Sequence, residues 1–207
     1  MIRAVLFDCD GVLQRPSNDW VAEIGALTGL AGGALSSFLD DISEVEQHVI
    51  DGSHPYAVEL DTVLRRWELP VRAEELLDVW QHVSVDPGML RAVEDLRAAG
   101  VTCALGTNQH PERAVYMRRE LGYDRLFEPM IISAEIGTAK PDADYFRHAV
   151  DRLGLPAGQV LFVDDVGENV DAARGVGLVA ELFARDAGRV ELDRILALHG
   201  LADPVAA

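Results

Sequence analysis

The chain has 207 residues and a formal net charge of −17, from 35 acidic and 18 basic side chains. Its length suits one well-packed domain, or a core domain that carries a smaller insert. So acidic a surface argues against binding to nucleic acid or to a membrane, because both attract clusters of lysine and arginine. An enzyme for anionic substrates would need a local positive field on this chain.

The first residues and the two cysteines favour a cytoplasmic protein. The apolar run at residues 4–7 follows Arg3 and ends at Asp8, which is too short for a signal peptide or a membrane span. Cys9 and Cys103 lie in apolar, strand-like runs and lack the spacing of metal ligands or of a disulfide framework. We therefore expect two buried, reduced thiols.

Short apolar runs alternate with amphipathic helical stretches over most of the chain. The predicted strands are residues 4–7, 101–105, 130–132, 160–163 and 178–182. The predicted helices between and after them are residues 87–99, 111–121, 142–153 and 169–175. This alternation predicts an α/β fold, a doubly wound parallel sheet of the Rossmann-like kind.

The stretch from residue 14 to residue 85 breaks the alternation. It shows helical periodicity, punctuated by glycine and proline, and no convincing strand. The predicted helices are residues 20–28, 34–49, 56–67 and 73–82. The expected organisation is a core domain of residues 1–13 and 87–207 and an inserted helical domain of residues 14–86.

Two aspartates follow the first strand, where an open parallel sheet binds its ligands. Asp8 and Asp10 are two residues apart, so both side chains can face one pocket. An ionised Asp8 is a usable nucleophile toward phosphorus. Asp10 can protonate the leaving alcohol and then activate water, if burial and a like charge raise its pKa. Gly11 permits unusual backbone angles as the chain leaves the strand, and we expect it beside the substrate.

Three other loops place polar side chains at the same edge of the predicted sheet. Thr107 and Asn108 follow the second strand and can donate hydrogen bonds to phosphate oxygens. Lys140, before the helix at residue 142, can supply a fixed positive charge to the nucleophile and the phosphate. Asp164 and Asp165 follow the fourth strand.

Hard oxygen ligands at this edge predict a Mg²⁺ site, made by Asp8, Asp165 and the backbone carbonyl of Asp10. Asp164 adjoins Asp165, so both reach one ion only if the strand has already ended, and Asp165 is the preferred ligand of the two. Each loop alone could be a helix cap, a turn or an exposed lysine. All four in this order favour phosphoryl transfer.

The four loops resemble the motifs of the haloacid dehalogenase-like superfamily. The matching segments are residues 7–13 (FDCDGVL), 106–108 (GTN), 140–142 (KPD) and 162–169 (FVDDVGEN). The resemblance covers about residues 1–13 and 87–183, and the helical insert is placed like that family's cap domain. Dehalogenases of the superfamily lack the second aspartate, because a halide leaving group needs no proton. The presence of Asp10 therefore favours a phosphatase.

The resemblance implies a Mg²⁺-dependent phosphatase that hydrolyses a small phosphorylated metabolite, such as a sugar phosphate, through an aspartyl-phosphate on Asp8. It implies Asp10 as acid and base, and Lys140 with Thr107 and Asn108 at the phosphate. A cap would close over the site and contact the leaving group. The metal ligands would be Asp8, Asp10, Asp165 and, in an assisting role, Asp164.

The residues leave three alternatives open. A phosphomutase would use the same side chains but return the phosphate to the sugar. A non-catalytic protein that binds a phosphorylated ligand would not require Asp10. The chain could act as a monomer or as a homodimer.

The sequence also predicts positions or roles for several other side chains. Asn169 is expected to support the metal ligands, and Cys9 to point away from the pocket. His110 is expected at the surface, at the start of a helix. The candidates for substrate contact in the insert, for which structural or solvent-facing roles are favoured, are Arg15, Trp20, His48 and His54.

Overall fold

The computed structural model describes residues 1–185 and 187–201. The strands, in chain order, are β1 (Ala4–Phe7), β2 (Gln14–Pro16), β3 (Val83–Val85), β4 (Thr102–Thr107), β5 (Met130–Ile132), β6 (Val160–Asp164) and β7 (Val179–Leu182). The helices are α1 (Trp20–Thr28), α2 (Gly32–Val49), α3 (Tyr56–Arg66), α4 (Ala73–Val79), α5 (Pro87–Ala98), α6 (Pro111–Arg119), α7 (Ser133–Ile136), α8 (Ala143–Leu153), α9 (Gly167–Gly175) and α10 (Gly188–Leu198).

A parallel five-stranded sheet organises the core, in the order β5-β4-β1-β6-β7. The central strand β1 places Phe7 beside Leu105 of β4 and Val163 of β6. The carboxyl ends of the three central strands therefore lie together. This arrangement confirms the predicted doubly wound α/β fold.

Successive residues of β1 face opposite sides of the sheet, as the geometry of a strand requires. Val5 and Phe7 pack in the apolar cluster that contains residues of α5 and α10. Ala4 and Leu6 pack in the cluster that contains residues of α8 and α9. The strand is buried on both sides, which explains why its sequence is continuously apolar.

Helices α1 to α4 form an apolar cluster of their own, with buried residues from each helix. The structure corrects the expectation of no strand in residues 14–85, because β2 and β3 pair in antiparallel fashion where the chain enters and leaves the helical segment. Each has three residues, too few to show an alternating pattern, and β2 contains Pro16. The last predicted helix of the insert also ends earlier, at Val79, because the chain turns into β3.

Other boundaries of helices and strands differ by a few residues from those predicted from the sequence. The helices α2 and α9 begin at Gly32 and Gly167, each two residues before the predicted start. The strand β4 extends to Thr107, so that this residue ends the strand. The predicted core domain includes residues 186 and 202–207, which lie outside the described residues.

Within residues 1–185 and 187–201, no single helix has the length and apolar composition needed to cross a membrane. The helices α1 and α2 meet those two criteria only when joined, and they are bent by 105° at the break between them.

Candidate active site

A buried ion pair lies at the carboxyl ends of β1 and β6. Lys140 Nζ donates hydrogen bonds to Asp8 Oδ1 and to Asp164 Oδ2, each over 2.7 Å, and to the carbonyl oxygen of Gly106 over 2.9 Å. The side chains of Lys140 and Asp164 are 2% and 0% exposed. One lysine 132 residues distant in sequence thus provides a fixed positive charge at Asp8.

The pKa values of this group reflect its burial. Burial raises the pKa of Asp8 to about 7; the charge of Lys140 opposes this rise, and that of Asp164 adds to it. Burial disfavours the charged form of Lys140 as well, but Asp8 and Asp164 outweigh that effect and hold its pKa above the ordinary value. The ammonium therefore stays charged, and Asp8 is the group whose charge the surroundings disfavour.

The amides of two asparagines hold this group in place. Asn108 Nδ2 donates to the carbonyl oxygen of Lys140 over 2.8 Å, and Asn108 Oδ1 accepts from the Lys140 N–H over 2.9 Å. Asn169 Nδ2 lies 3.0 and 3.1 Å from the two oxygens of Asp164, behind the cluster of carboxylates. The side chain of Asn108 thus fixes the backbone of Lys140. The backbone N–H of Asn108 is the group that can donate to a phosphate oxygen.

Three carboxylates could hold a metal ion. One oxygen from each of Asp8, Asp164 and Asp165 can be chosen so that all lie within 4.8 Å of one another. Asp165 Oδ2 accepts a hydrogen bond from Arg185 Nε over 2.6 Å, whereas Asp165 Oδ1 is buried and has no hydrogen-bond partner among the described residues. An all-oxygen set with one unsatisfied carboxylate oxygen fits Mg²⁺.

The formal charges of the site also favour a bound divalent cation. The three carboxylates of this metal-binding cluster face two cations, the ammonium of Lys140 and the guanidinium of Arg185, which leaves an excess of one negative charge. A divalent cation would offset that excess in a place where burial makes an uncompensated charge unfavourable.

Gly11 lies where another residue would not fit. Its φ of +86° is in the left-handed region, and a Cβ there would lie 2.3 Å from Asp165 Oδ2. Its N–H donates to the carbonyl oxygen of Gln14 over 2.8 Å. The glycine therefore allows the loop after β1 to pass directly against the carboxylate of the fourth motif.

Three donors surround the carboxylate of Asp10. Gln14 Nε2 and Arg113 Nη2 donate to Oδ1 over 2.9 and 2.7 Å, and Gln109 Nε2 donates to Oδ2 over 2.6 Å. The phenol of Tyr123 in turn donates to Gln14 Oε1 over 2.8 Å. Asp10 is held as a hydrogen-bond acceptor, in the orientation these partners impose.

The structure also gives the burial of the other residues that the sequence analysis singled out. Thr107 is 1% exposed at the end of β4, and its hydroxyl oxygen lies 3.4 Å from Gln109 Nε2. Cys9 is buried in the apolar cluster that contains Phe7, and burial, together with the charges of Asp10 and Asp8, raises the pKa of its thiol well above the usual value. His48 and His54 are exposed.

The expectation of a surface histidine at position 110 is wrong. His110 caps α6 as predicted, but it is 1% exposed, because Tyr56 of α3 covers its ring with a centroid distance of 5.1 Å. Packing of the helical insert over the core buries this side chain, and a helix-start pattern contains no sign of that packing.

The sequence motifs do not indicate four further residues that contact the site aspartates: Gln14, Gln109, Arg113 and Arg185. Gln109 adjoins the second motif, and its position after a strand end was the one available signal. Arg113 is four residues farther, one turn into α6, where a charged residue ordinarily faces solvent. Arg185 lies 20 residues from the aspartate that it contacts.

Comparison with known proteins agrees with this geometry. The family model described as haloacid dehalogenase-like hydrolase matches residues 2–177. The chain belongs to this family of hydrolases. The phosphatase MT3486 of Mycobacterium tuberculosis is 31% identical over 201 residues, which cover 89% of this chain and 88% of that protein. The predicted class, a family hydrolase of the phosphatase type, is confirmed.

Other relatives are similar over a part of the chain or in fold alone. The sesquiterpene phosphatase astK of Aspergillus oryzae is 35% identical over 95 residues, and the match spans only 48% of that protein. A family enzyme of Bacteroides thetaiotaomicron, bt-2542, superposes with a TM-score of 0.80 at 17% identity, covering 92% of this chain and 98% of that one. The same enzyme has been solved with magnesium and inorganic phosphate. These structures show the fold.

Proposed function

We propose that this family member is a Mg²⁺-dependent phosphatase that hydrolyses a small phosphorylated metabolite through an aspartyl-phosphate on Asp8. The observation that carries the proposal is the pairing of buried Asp8 with Lys140 over 2.7 Å, beside a carboxylate oxygen of Asp165 that has no hydrogen-bond partner among the described residues. The phosphatase relative that matches most of the chain supports the same reaction.

In the first step, an oxygen of Asp8 attacks phosphorus while the bond from phosphorus to the leaving oxygen breaks. The protonated form of Asp10, which the second step of each turnover regenerates, gives its proton to that oxygen, which departs as an alcohol. Lys140 stabilises negative charge on Asp8 and on the phosphate. The hydroxyl of Thr107 and the N–H of Asn108 donate to phosphate oxygens.

In the second step, water attacks the phosphorus of the aspartyl-phosphate and Asp10 takes the proton from that water. The bond from phosphorus to Asp8 breaks, and inorganic phosphate leaves. The hydrogen bonds from Gln14, Gln109 and Arg113 hold Asp10 as an acceptor, the state in which it can take this proton.

Mg²⁺ would be held by Asp8, Asp165 and the backbone carbonyl of Asp10, with Asp164 nearby. When bound, it would neutralise the excess charge of these carboxylates and of the phosphate. Asp164 already accepts from Lys140, Asn169 and the N–H of Val166. We therefore assign it chiefly to hold Lys140, and Asp165 to bind the ion.

We further propose that residues 14–86 act as a cap over residues 1–13 and 87–207. The separate apolar cluster of α1 to α4 and the antiparallel pair of β2 and β3 at the junction support this division. The hydroxyl of Ser133 donates to the carbonyl oxygen of Ile50 over 2.6 Å, which joins the two parts near the site. Cys9 and Cys103 are free and buried, as a cytoplasmic location would favour.

The test is phosphate release from a panel of sugar phosphates, nucleotides and phosphoglycolate, with and without Mg²⁺. We expect release that requires Mg²⁺ and is abolished in Asp8→Asn, whereas Asp151→Asn, at an exposed position of α8, retains it. Full turnover by Asp8→Asn would refute the nucleophile. Conversion of a hexose phosphate to its positional isomer, with no free phosphate, would identify a mutase instead.

A further inference from the structure

A cavity of about 260 Å³ lies between the end of β1 and the helical insert. Asp10 and Gly11 line it, so the cavity reaches the carboxylate that would protonate the leaving oxygen in the proposed reaction. Most of the other lining residues belong to the insert. An alcohol that leaves from phosphorus would therefore lie against the insert.

Apolar side chains make up most of the wall that the insert contributes, namely Pro16, Trp20, Val79, Trp80 and Val83. Trp20, the first residue of α1, is 38% exposed, which is unusual for so large an apolar side chain. Indole faces pack well against rings and hydrocarbon, and their rigidity limits the entropy lost on binding. This wall therefore suits a ring or a short hydrocarbon.

The basic side chains that line the cavity already have partners within the chain; they are Arg15, His82, Arg113 and Arg185. Arg113 Nη2 donates to Asp10 over 2.7 Å, and Arg185 Nε donates to Asp165 over 2.6 Å. The histidine Nδ1 lies 3.0 Å from a carboxylate oxygen of the insert, and Arg15 also interacts with another residue. In the part of the chain that the structure describes, the wall thus offers no uncommitted cation to an anionic leaving group.

A stack of rings fixes one indole relative to the proposed acid. Trp80 packs edge-on against Tyr56 with a centroid distance of 6.3 Å, and Tyr56 packs on His110 with a centroid distance of 5.1 Å. His110 caps α6, the helix from which Arg113 holds Asp10. A ring seated on Trp80 would therefore meet Asp10 in a geometry that is already formed.

We propose that the substrate is a phosphomonoester of an uncharged alcohol with a single apolar ring, aromatic or saturated, that packs against Trp20 and Trp80. The inference rests on the proposed phosphatase function and names the substrate class for that site. A second acid group would lose hydration in this cavity without a cation to replace it. The volume is below the range of roughly 300–1,000 Å³ usual for drug-sized ligands, which disfavours a long lipid chain or a dinucleotide.

The test measures kcat/KM in Mg²⁺ for phosphates of primary alcohols that differ in one feature. Benzyl phosphate and ethyl phosphate differ in the ring. The para-carbamoyl and para-carboxy derivatives of benzyl phosphate differ in charge at nearly equal size. We expect kcat/KM about tenfold higher for benzyl than for ethyl phosphate, as for partial burial of one ring. We expect it to be about tenfold higher for the carbamoyl than for the carboxy derivative.

Substitutions at the wall locate the preference for a ring. Trp20→Ala should lower the ratio of kcat/KM for benzyl to that for ethyl phosphate by about three- to tenfold, mainly through KM, and Trp20→Phe should restore it. Leu27→Ala is the matched control, because Leu27 lies on the same helix, is 36% exposed and is not among the residues that line this cavity. It should leave the ratio as in the wild type.

The outcomes separate this inference from the proposed function. A benzyl-to-ethyl ratio at or below one, or a higher kcat/KM for a hexose phosphate than for benzyl phosphate, overturns the apolar ring and leaves the phosphatase standing if Mg²⁺-dependent release is intact. Equal or faster turnover of the carboxy derivative overturns the uncharged alcohol. A ratio that survives Trp20→Ala, or that falls as far in Leu27→Ala, overturns the role of Trp20. Absence of phosphate release from every substrate, including p-nitrophenyl phosphate, overturns both proposals.

Discussion

Replacing the proposed nucleophile should stabilise the metal-free protein, although it removes activity. Burial raises the pKa of Asp8 to about 7 from an ordinary value of 3.8, which means that the folded state resists its ionisation. Because the folded-state pKa is the higher one, stability that is present at low pH is lost as the pH rises through about 7. The amide side chain introduced by Asp8→Asn does not ionise, so the variant avoids that loss.

The size of the effect follows from the difference in pKa. A rise of about three units corresponds to about 4 kcal/mol in full, of which about 3 kcal/mol falls between about pH 5 and about pH 8. For a chain of this size, this corresponds to about 6–12 °C in Tm. These figures are upper limits, since Lys140 loses one of its two carboxylate partners and retains Asp164 over 2.7 Å.

The assay is thermal unfolding of wild type, Asp8→Asn and Asp151→Asn in chelator at the two pH values. The Tm of Asp8→Asn should exceed that of the wild type, and the excess should grow with pH. Added Mg²⁺ should raise the Tm of the wild type and so reduce the difference in Tm between Asp8→Asn and the wild type. An Asp8→Asn protein that is less stable than the wild type at the higher pH, or an excess that does not depend on pH, would refute the reasoning.

Three further substitutions test the rest of the site. Asp10→Asn should lower kcat by about 10²–10⁴-fold. The variant should keep the Mg²⁺-induced rise in Tm, because the backbone carbonyl that binds the ion is retained. Loss of that rise would contradict metal binding through the backbone carbonyl. Gly11→Ala should weaken Mg²⁺ binding by about 10–100-fold, since its Cβ meets Asp165 at 2.3 Å, whereas Gly29→Ala, also at positive φ but with nothing within 4 Å, should not. Gln109→Leu should lower kcat by about tenfold with little change in KM; unchanged kcat would exclude a positioning role.

The main features of the fold could be predicted because several signals agree along the chain. The strand at residues 4–7 is continuously apolar, as burial on both sides requires, and Asp8 follows it directly. Parallel strands place their carboxyl ends together, so the sequence predicts that the aspartates at the ends of β1 and β6 lie near one another. Lys140 was expected there through its motif, and the structure places its ammonium on Asp8.

The remaining features depend on tertiary packing that no local pattern encodes. His110 is buried because Tyr56, more than fifty residues earlier in the chain, packs over it. Arg113 contacts Asp10 across 103 residues, and nothing in the first turn of α6 distinguishes it from a solvent-facing arginine. The strands β2 and β3 are stabilised by each other, at a separation of about seventy residues, rather than by their own sequences.

The most direct test of the central claim is to trap the covalent enzyme. A reaction with a radiolabelled phosphomonoester and Mg²⁺ is quenched in acid before one turnover is complete, and the peptide that contains Asp8 is isolated. We predict label on Asp8 that hydroxylamine removes, as expected for an acyl phosphate, and none in Asp8→Asn. Turnover with no label on Asp8, or with label on another residue, would contradict the account.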